Sequence, residues 1–404
     1  MRIGIDIVEI VRFETMSDIT KAQIFTPNEL AYIAAKGSQN AQTAAGFFAA
    51  KEALAKALGS GLTRDLFHRV EVAHDGRGAP HFIGALAAQW KTSLSISHDG
   101  GMATAVVTLV AQDEKELLPY PEQWAHWCNV IDKRNANAHK YNNGRLFILA
   151  GSRNFSGAAR LAAGGAWRMG VGLVTVGVPN CIHQVVASDC CENIVVPLRD
   201  DGDGFLSVEA LPLIREQIDN ADAVVVGPGL GNGRGMELIM REVLNYGEAP
   251  LIIDADGLNV MARHIYVQSR QVVLTPHEGE FRRIGGQLDN APRLTAVQNY
   301  AVNSNCTVLL KGGQTVTACP DGRTTVNQSG NCGLAKGGSG DILAGMVGAL
   351  AAQGIEPGDA AAFAAFVHGC AADVAVKKGS QMGMMPSDIL AEIPKLLKYF
   401  DAPT

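Results

Sequence analysis

The chain is poor in charged and aromatic residues, which make up 18% and 6% of its 404 residues. It has a net charge of −6 and no basic run interleaved with aromatic residues, so nucleic acid is not an expected partner. Acidic residues interrupt the apolar N-terminal run MRIGIDIVEIVRF, so we expect no signal peptide. No uncharged apolar run reaches the ~18 residues that cross a bilayer, so we expect no membrane partner. All eight cysteines lie from Cys128 onward without a CxxC pair, which favours reduced thiols in a cytoplasmic protein.

Several familiar ligand-binding motifs are also missing. The alternating glycines of residues 227–231 do not satisfy GxGxxG, which argues against an ordinary dinucleotide-binding turn. The sequence GxxxxGK[ST] does not occur, and Phe281 stands where an HExxH motif beginning at His277 needs its second histidine. Any nucleotide site in this chain must therefore be built from other elements.

The remaining composition predicts two folded domains. Hydrophobic residues make up 47% of the chain, which is typical of a protein with a packed core. We predict a small α+β domain at residues 1–110, a polar linker at residues 111–117 and a larger α/β domain at residues 118–404. In the larger domain, apolar runs alternate with helical segments, which indicates a mostly parallel sheet covered on both faces. The predicted strands are 3–10, 70–73, 81–83, 93–97, 104–110, 146–150, 173–178, 223–226, 251–253, 272–274 and 307–310, and the main helix of the first domain is 44–58.

The stretch GLAKGGSGDILAGMVGAL at residues 333–350 is the most informative part of the sequence. Its glycines precede an apolar helix that we expect to end before Gly354, and glycine amides at a helix N-terminus can bind phosphate. Asp341 either caps this helix or faces a hydroxyl group that is about to be phosphorylated. The helix N-terminus is expected to lower the pKa of Asp341.

Polar residues follow several of the predicted strands of the larger domain. Asp254 and Asp256 follow one strand, His277 and Glu280 the next, and Lys311 with a glycine pair the last. Ligands of open α/β sheets bind at the carboxyl ends of strands, so we expect these residues to converge with Gly340 and Asp341. Any one of them alone could instead satisfy a loop.

In order, the motifs GPGLG, DADGLN, TPHEGEF, LKGGQT and GLAKGGSGDILAGM resemble the ribokinase-like ADP/ATP-dependent NAD(P)H-hydrate dehydratase family. The resemblance implies repair of (6S)-NAD(P)H hydrate: ADP or ATP phosphorylates the hydrate hydroxyl, and phosphate then leaves, releasing NAD(P)H and AMP or ADP. It also implies Asp341 as the catalytic base and Mg²⁺ held through water by Asp254 or Glu280. The implied hydrate-binding residues are Ala159, Gly229, Gly231, His277 and Asp341, and the implied nucleotide-binding residues are Lys311, Gly312, Gly313, Gln314, Thr315, Gly338 and Gly340. A thiazole or hydroxymethylpyrimidine kinase of the same fold is the alternative.

The first domain carries two acids and two lysines at informative positions. Asp6 lies inside the first predicted strand, where an ionised group needs a partner or a metal. On the predicted helix, Lys51 interrupts an apolar stripe, whereas Glu52 and Lys56 lie one turn apart and could form an ordinary surface ion pair. The other hypothesis is that Asp6 and Glu52 hold Mg²⁺ beside a phosphorylated ligand.

The motifs IGIDIVEI, FTPNE, FAAKEALAKALGSG and SISHD resemble the holo-(acyl-carrier-protein) synthase family. That resemblance implies Mg²⁺-dependent transfer of 4′-phosphopantetheine from coenzyme A to a serine of acyl carrier protein. It implies Asp6 and Glu52 as metal ligands, Glu52 and Lys56 as catalytic residues, and coenzyme A near Lys51, Lys56 and His98. Phe47 stands where the family usually has arginine, so a non-catalytic module for oligomerisation or carrier-protein binding is the alternative. The two families predict a homo-oligomer, either a trimer or a tetramer.

Overall fold

The computed structural model describes residues 2–59, 64–83, 90–111, 120–131, 139–188, 191–262, 270–289 and 291–400. It divides into two compact units, Met1–Leu117 and Leu118–Thr404, which are called unit 1 and unit 2 below. Of the predicted linker, residues 111–117, only Ala111 lies among the described residues.

Unit 1 combines a three-stranded sheet with one long helix. Its elements are β1 (Arg2–Glu9), α1 (Val11–Glu14), α2 (Asp18–Ile24), α3 (Pro27–Ala35), α4 (Asn40–Leu58), α5 (Arg64–Arg69), β2 (Glu71–His74), β3 (Pro80–Ile83), β4 (Trp90–Asp99) and β5 (Met102–Ala111). The sheet has the antiparallel order β1-β5-β4, and β2 pairs with β3 as a separate hairpin. These elements confirm the predicted α+β class.

The two faces of β1 have different environments. Val8 is buried in the core of unit 1, whereas Ile3, Ile5 and Ile7 on the alternate face are 56%, 57% and 62% exposed. Val106, paired with Ile5 across the sheet, is also exposed. We call Ile3, Ile5, Ile7 and Val106 the apolar outer face of unit 1.

Unit 2 is built around a nine-stranded sheet in the order β14-β13-β12-β11-β10-β9-β6-β7-β8. Its elements are α6 (Pro121–Val130), β6 (Arg145–Leu149), α7 (Ser156–Arg168), β7 (Leu173–Pro179), α8 (His183–Ala187), β8 (Ile194–Leu198), α9 (Leu211–Asp219), β9 (Ala223–Val226), α10 (Met236–Asn245), β10 (Leu251–Ile253), α11 (Asp256–Met261), β11 (Val272–Leu274), α12 (Glu278–Arg283), α13 (Arg293–Ser304), β12 (Thr307–Leu310), β13 (Val316–Ala318), β14 (Thr324–Val326), α14 (Ser339–Ala352), α15 (Pro357–Lys378) and α16 (Pro386–Leu397). The strands from β12 to β8 are parallel, and β13 and β14 extend the sheet antiparallel at one edge. The predicted mostly parallel sheet is confirmed.

Helices cover both faces of this sheet. Leu146 and Ile148 belong to one buried cluster with α7, α14 and α15, whereas Phe147 and Leu149 belong to the cluster on the opposite face. Because successive residues of a strand point to opposite faces, continuous apolar strands are what a doubly covered sheet requires.

Helix α14 approaches α7 very closely. A Cβ atom on Gly345 would lie 1.9 Å from the carbonyl oxygen of Ala162, so only glycine fits at this contact. α14 ends at Ala352 and is followed by Gly354 with a φ of 85°, in agreement with the predicted end of this helix.

Helix α15 has the length and apolar composition of a membrane-spanning segment, the only such helix among the described ranges. Most of it is buried against α14 and the sheet, with Phe363 and Phe366 packed in the core. A central core helix has the same composition, so this feature is weak evidence of a membrane segment.

Candidate active site

A buried ion pair marks the carboxyl edge of the unit 2 sheet. Asp254 follows β10 and Lys311 follows β12, and the Lys311 Nζ lies 2.7 Å from Asp254 Oδ1. Thr275, which follows β11, donates its hydroxyl hydrogen to the same oxygen at 2.8 Å. Three neighbouring parallel strands thus deliver one side chain each to a single point, as the topology of an α/β sheet predicts.

The glycine-rich loop lies directly against this pair. Gly338 precedes α14 with a φ of 100°, and a Cβ atom on Gly340 would lie 3.3 Å from Lys311 Nζ. The first amides of α14 have no partner inside the helix and carry its positive end. We call residues 337–340 with this helix start the anion seat.

Asp341 has a higher pKa than we expected. Burial, and then the charge of Asp254, raise the pKa of Asp341 to about 6, and Asp256 adds to the effect although Lys311 opposes it. The expectation that the helix N-terminus lowers this pKa is therefore wrong, because desolvation and two like charges outweigh the helix dipole. A carboxylate with this pKa is a stronger base than an ordinary aspartate.

Negative charge exceeds positive charge around Lys311. Burial lowers the pKa of Lys311, but Asp254 and Glu280 outweigh it and raise the pKa, with a contribution from Asp341. One ammonium group therefore faces several carboxylates, an arrangement that a divalent cation would relieve. Among the described residues no cluster of three or more His, Cys, Asp or Glu side chains could hold a metal by itself, so nucleotide phosphates and water would have to supply further ligands.

The GPGLG segment forms a second wall of the site. A Cβ on Gly227 would lie 1.8 Å from the Asp254 carbonyl oxygen, and its φ is 126°, so glycine is required there. Gly231 donates its amide hydrogen to Asp256 Oδ2 at 2.8 Å, and Ser152 donates its hydroxyl to the Gly229 carbonyl at 2.8 Å. The segment is thus fastened to the Asp254–Asp256 turn.

His277 has a structural role in this structure. Its Nδ1 accepts hydrogen bonds from the amides of Gly279 and Glu280, and Glu280 in turn accepts from the His277 amide, which completes a capping box on α12. In a neutral imidazole this bonding leaves the proton on Nε2. Nε2 lies 3.4 Å from Glu280 Oε1, and the side chain is 53% exposed, so the open face of the ring can also contact a ligand.

The KGGQT segment borders the site as a mostly exposed loop. Gly312, Gly313 and Gln314 are exposed, and Thr315 donates its hydroxyl to the Gly312 carbonyl at 3.3 Å. Arg293, which the sequence did not single out, bonds the carbonyl oxygens of Lys311 at 3.0 Å and Gln314 at 3.2 Å. A lone arginine at the start of a helix carries no sequence signal for this contact.

Ala159 is a core residue, and its contact with the hydrate stays a prediction. The residue is completely buried in α7 and belongs to the core cluster of that face. Its methyl group therefore contributes to packing, and in this conformation its side chain makes no surface that a hydrate could touch.

In unit 1, α4 brings two predicted residues to the acid of β1. Lys56 Nζ lies 2.8 Å from Asp6 Oδ1, so Lys56 pairs with Asp6 rather than with Glu52. Burial, and then the charge on Asp6, raise the pKa of Glu52. Two carboxylates that repel each other across a gap fit a divalent cation well, since the cation would remove the repulsion.

His98 lies near the end of β4, where the sheet approaches α4. Its Nδ1 forms a hydrogen bond with the side-chain amide of Gln42 on α4. The residue is exposed, so the imidazole is available to a ligand at this edge.

Lys51 is not available to a ligand. Its side chain is 2% exposed, and its Nζ contacts Glu29 Oε2 at 2.6 Å, the Phe67 carbonyl at 2.7 Å and the Ile24 carbonyl at 3.1 Å. Because all three ammonium hydrogens have partners inside unit 1, the predicted contact of Lys51 with coenzyme A does not agree with the structure. The apolar stripe that Lys51 interrupts is indeed the buried face of α4.

Phe47 is likewise a core residue. It is 2% exposed and stacks on Tyr32 and His74, with ring centroids 5.7 Å away in both cases. An arginine at this position would place a charge inside this aromatic stack, which is costly. The phenylalanine that stands here instead of the usual family arginine therefore suits the local packing.

Unit 2 thus has the fold and the charge arrangement of an α/β phosphoryl-transfer enzyme: an anion seat, a lysine and a partly buried aspartate at the carboxyl edge of a parallel sheet. The family model for NAD(P)H-hydrate dehydratase matches residues 146–395, and the model for the 4′-phosphopantetheinyl transferase superfamily matches residues 2–110. The chain belongs to the NAD(P)H-hydrate dehydratase family and carries a domain of the transferase superfamily in addition.

Relatives agree with this assignment. The ADP-dependent (S)-NAD(P)H-hydrate dehydratase of Neisseria meningitidis is 32% identical over 303 residues, which are 70% of this chain and 94% of that protein. The bifunctional NAD(P)H-hydrate repair enzyme Nnr of Moorella thermoacetica is 37% identical over 284 residues, 69% of this chain and 54% of that enzyme. This chain therefore spans about half the length of such repair enzymes.

Solved structures are similar to unit 2 in fold. The ADP/ATP-dependent NAD(P)H-hydrate dehydratase of Bacillus subtilis, co-crystallised with ATP and Mg²⁺, has a TM-score of 0.60 at 28% identity, covering 70% of this chain and 98% of that one. A ribokinase-like superfamily protein from Enterococcus faecalis has a TM-score of 0.61 at 27% identity, covering 68% and 94%. The predicted ribokinase-like fold is confirmed.

Proposed function

We propose that unit 2 repairs hydrated nicotinamide cofactors, converting (6S)-NAD(P)H hydrate to NAD(P)H at the expense of ADP or ATP. The observation that carries this proposal is the position of Asp341, which lies at the anion seat beside Lys311 with a pKa raised to about 6. Asp341 could thus accept the proton of a substrate hydroxyl, and the adjacent anion seat could hold the phosphate that this hydroxyl attacks. The free cysteines of the described residues fit a reducing cytoplasm.

In the first step, the hydrate hydroxyl attacks the terminal phosphorus of the nucleotide while Asp341 removes the hydroxyl proton. AMP or ADP leaves with the electron pair of the broken phosphorus–oxygen bond. Lys311 and the amides of the anion seat stabilise the charge on the transferring phosphoryl oxygens, and bound Mg²⁺ would neutralise further charge there.

In the second step, the carbon–oxygen bond of the phosphorylated hydrate breaks and inorganic phosphate departs. The ring nitrogen supplies electrons to the carbon, a proton leaves the neighbouring carbon, and the double bond of the reduced ring is restored. The partly exposed His277 ring and the GPGLG segment border the side of the site on which we place the hydrate.

Hydrated NADH should regain the absorbance of reduced nicotinamide when it is mixed with the full chain, Mg²⁺ and ADP or ATP. Parallel reactions with ADP, with ATP and without nucleotide identify the phosphate donor. A folded protein that restores no absorbance with either nucleotide would contradict the repair function, and accumulation of a stable phosphorylated alcohol would favour a kinase.

We propose in addition that unit 1 transfers 4′-phosphopantetheine from coenzyme A to a serine of acyl carrier protein. The juxtaposition of Asp6, Glu52 and Lys56 supports it, because two carboxylates can hold Mg²⁺ while the lysine faces coenzyme A phosphate. His98 lies at the neighbouring sheet edge as a further contact.

The apolar outer face of unit 1 supports self-association. Ile3, Ile5, Ile7 and Val106 form a patch of exposed apolar side chains on one sheet face, and such patches mark interaction surfaces. Further copies of the chain are the occupants that we propose for this face, in a trimer or a tetramer.

Replacing Asp6 and Glu52 together by Ala should abolish the Mg²⁺-dependent transfer to acyl carrier protein, because the cation loses both protein ligands. Transfer is measured as the mass gain of the carrier protein, and hydrate repair by the same preparation is the internal control. The molecular mass in solution should be three or four times 42.6 kDa for the wild-type protein and for the double variant. A loss of both activities together would show that the two units do not act independently.

A further inference from the structure

One carboxylate on α15 accepts three hydrogen bonds that no step of the proposed reaction uses. Asp373 Oδ2 accepts from the Gly330 amide at 2.8 Å and from the Tyr120 hydroxyl at 3.2 Å. Its Oδ1 accepts from the side-chain amide of Asn331 at 2.9 Å. Hydrogen bonds to an ionised carboxylate are stronger than those between neutral groups, and two of these three come from the loop that leads into the anion seat.

This loop lies directly on α15. Ser329 donates its hydroxyl to the Phe366 carbonyl at 2.9 Å, and a Cβ atom on Gly369 would lie 2.2 Å from the Ser329 hydroxyl oxygen. Gly330 follows with a φ of 105°, a conformation that favours glycine. Gly369 lies one turn before Asp373 on the same helix, so the carboxylate lies where the loop leaves the helix surface.

Asn331 extends the contact along the loop. Its Nδ2 donates to Asp373, whereas its Oδ1 accepts from the Gly333 amide at 2.9 Å and caps the single 3₁₀ turn Cys332–Leu334. The two ends of this amide have partners of opposite kind, so they cannot be exchanged without loss of both bonds. A chain of hydrogen bonds therefore runs from Asp373 through Asn331 to Gly333.

The anion seat follows this attached segment within a few residues. Lys336 Nζ donates to the carbonyl oxygens of Met382, at 2.6 Å, and Met384. The seat, residues 337–340, begins at the next position and contains three glycines. Glycine-rich backbone has many accessible conformations, so the position of the seat depends on the contacts that hold the chain before it. Asp373 and Lys336 provide two of these contacts.

We propose that Asp373 is a positioning residue for the nucleotide-dependent reaction: it holds residues 330–333, and through them it keeps the anion seat in its binding conformation. The carboxylate acts through the loop and not by contact with a ligand. Without it, a fraction of the molecules has the seat in other conformations, and the apparent affinity for nucleotide falls with the competent fraction. The inference rests on the repair reaction proposed above and assigns to it a residue of α15 that the reaction scheme has not used.

Asp373→Asn replaces one acceptor oxygen by an NH₂ group that faces a donor of the loop, so one hydrogen bond is lost. The dissociation constant of ADP for the full chain, measured by titration calorimetry with Mg²⁺, should rise about five- to tenfold. The kcat at saturating nucleotide should change little, because bound nucleotide restores the seat. In the free protein, amide hydrogen exchange of the peptide covering residues 329–338, followed by mass spectrometry, should become faster.

Asn331→Asp combined with Asp373→Asn exchanges the two side chains and keeps every hydrogen bond. The new amide at position 373 donates to the new carboxylate at position 331, and its oxygen still accepts from Gly330. The second oxygen at position 331 still accepts from Gly333. Asn331→Asp alone places two carboxylates side by side and should weaken ADP binding, whereas the double variant should recover the wild-type affinity and the slow exchange.

Asp222→Asn is the matched control. Asp222 also accepts from a backbone amide and a side chain, both of Arg145, but it lies at the amino edge of the sheet. This variant should unfold at a lower temperature and leave the ADP dissociation constant and the exchange of residues 329–338 unchanged.

Asp373→Asn with a lowered unfolding temperature but wild-type ADP affinity would overturn this inference alone and show a packing role. A folded double variant that does not recover the ADP affinity would also overturn it, because the hydrogen bonds would then not be the cause. A folded wild-type protein that binds no ADP would overturn the proposed repair function together with it.

Discussion

Replacing Asp341 by Asn is expected to reduce hydrate turnover by about 10²–10⁴-fold, the contribution of a positioned general base. The amide keeps the size of the side chain but cannot take the proton of the substrate hydroxyl. ADP affinity should change little, because the anion seat and Lys311 remain. The measurement is kcat under saturating hydrate and nucleotide, together with the dissociation constant for ADP.

The same substitution should stabilise unit 2 at neutral pH. The folded-state pKa of Asp341, about 6, lies above the ordinary value of 3.8, so folding favours the protonated form. The stability due to this proton is fully present below pH ~4 and is lost as the pH rises through about 6. At pH 8, Asp341→Asn should raise the free energy of unfolding by on the order of 2–3 kcal/mol, and the gain should vanish near pH 4.

The wild-type rate provides a second check on the same group. Since the unprotonated carboxylate is the base, kcat/KM for the hydrate should rise with pH through about 6. An Asp341→Asn variant with near-wild-type turnover would remove Asp341 from its assigned role. A rate that is flat between pH 5 and 7 would show that its proton transfer does not limit the reaction.

Replacing Lys51 by Met should destabilise unit 1 by about 3–5 kcal/mol, because it leaves the Glu29 carboxylate buried without its counter-ion. The Glu29 side chain has no exposed surface, and the Ile24 and Phe67 carbonyls would lose a donor as well. Thermal unfolding followed by calorimetry should show the transition of unit 1 shifted down while hydrate repair by unit 2 persists at 25 °C.

Lys56→Met is the matched control for this prediction, because Lys56 lies on the same helix with a side chain that is 52% exposed. It should lower the unfolding temperature of unit 1 much less than Lys51→Met does, because Lys56 is half-exposed and the Glu29 carboxylate, unlike that of Asp6, has no exposed surface. Glu29→Gln combined with Lys51→Met removes both charges and should recover most of the lost stability. Equal destabilisation by Lys51→Met and Lys56→Met would contradict the special role of the buried pair.

The sequence predicted the parts of the fold that depend on apolar periodicity. The central strands β9 to β12 have the predicted bounds because each is a fully buried apolar run between polar loops. Strands β8, β13 and β14 were not predicted. β8 is partly exposed and contains a proline, and β13 (VTA) and β14 (TTV) have no continuous apolar run. Short edge strands are defined by their neighbours in the sheet more than by their own pattern.

The sequence predicted where the site lies in unit 2 better than it predicted the pKa of Asp341. Strand-end motifs located Asp254, Lys311 and Gly340 because carboxyl ends of parallel strands meet at one edge. The pKa of Asp341 depends on how many carboxylates gather around it and on burial, which no local motif encodes. The internal role of Lys51 depends in the same way on Glu29, which lies far from it in sequence.

The position of Asp341 depends on how closely α14 packs against α7. Gly345 lies one turn after Asp341, and its contact with the Ala162 carbonyl fixes how near the two helices can come. A shift of the helix axis by a few tenths of an ångström would move Asp341 and the anion seat together, away from groups anchored on the strands. Misplacement of a catalytic group by ~1 Å can lower the rate 10²-fold. Gly345, which makes no contact with the substrate, therefore helps to fix the position of Asp341 through the packing of α14 on α7.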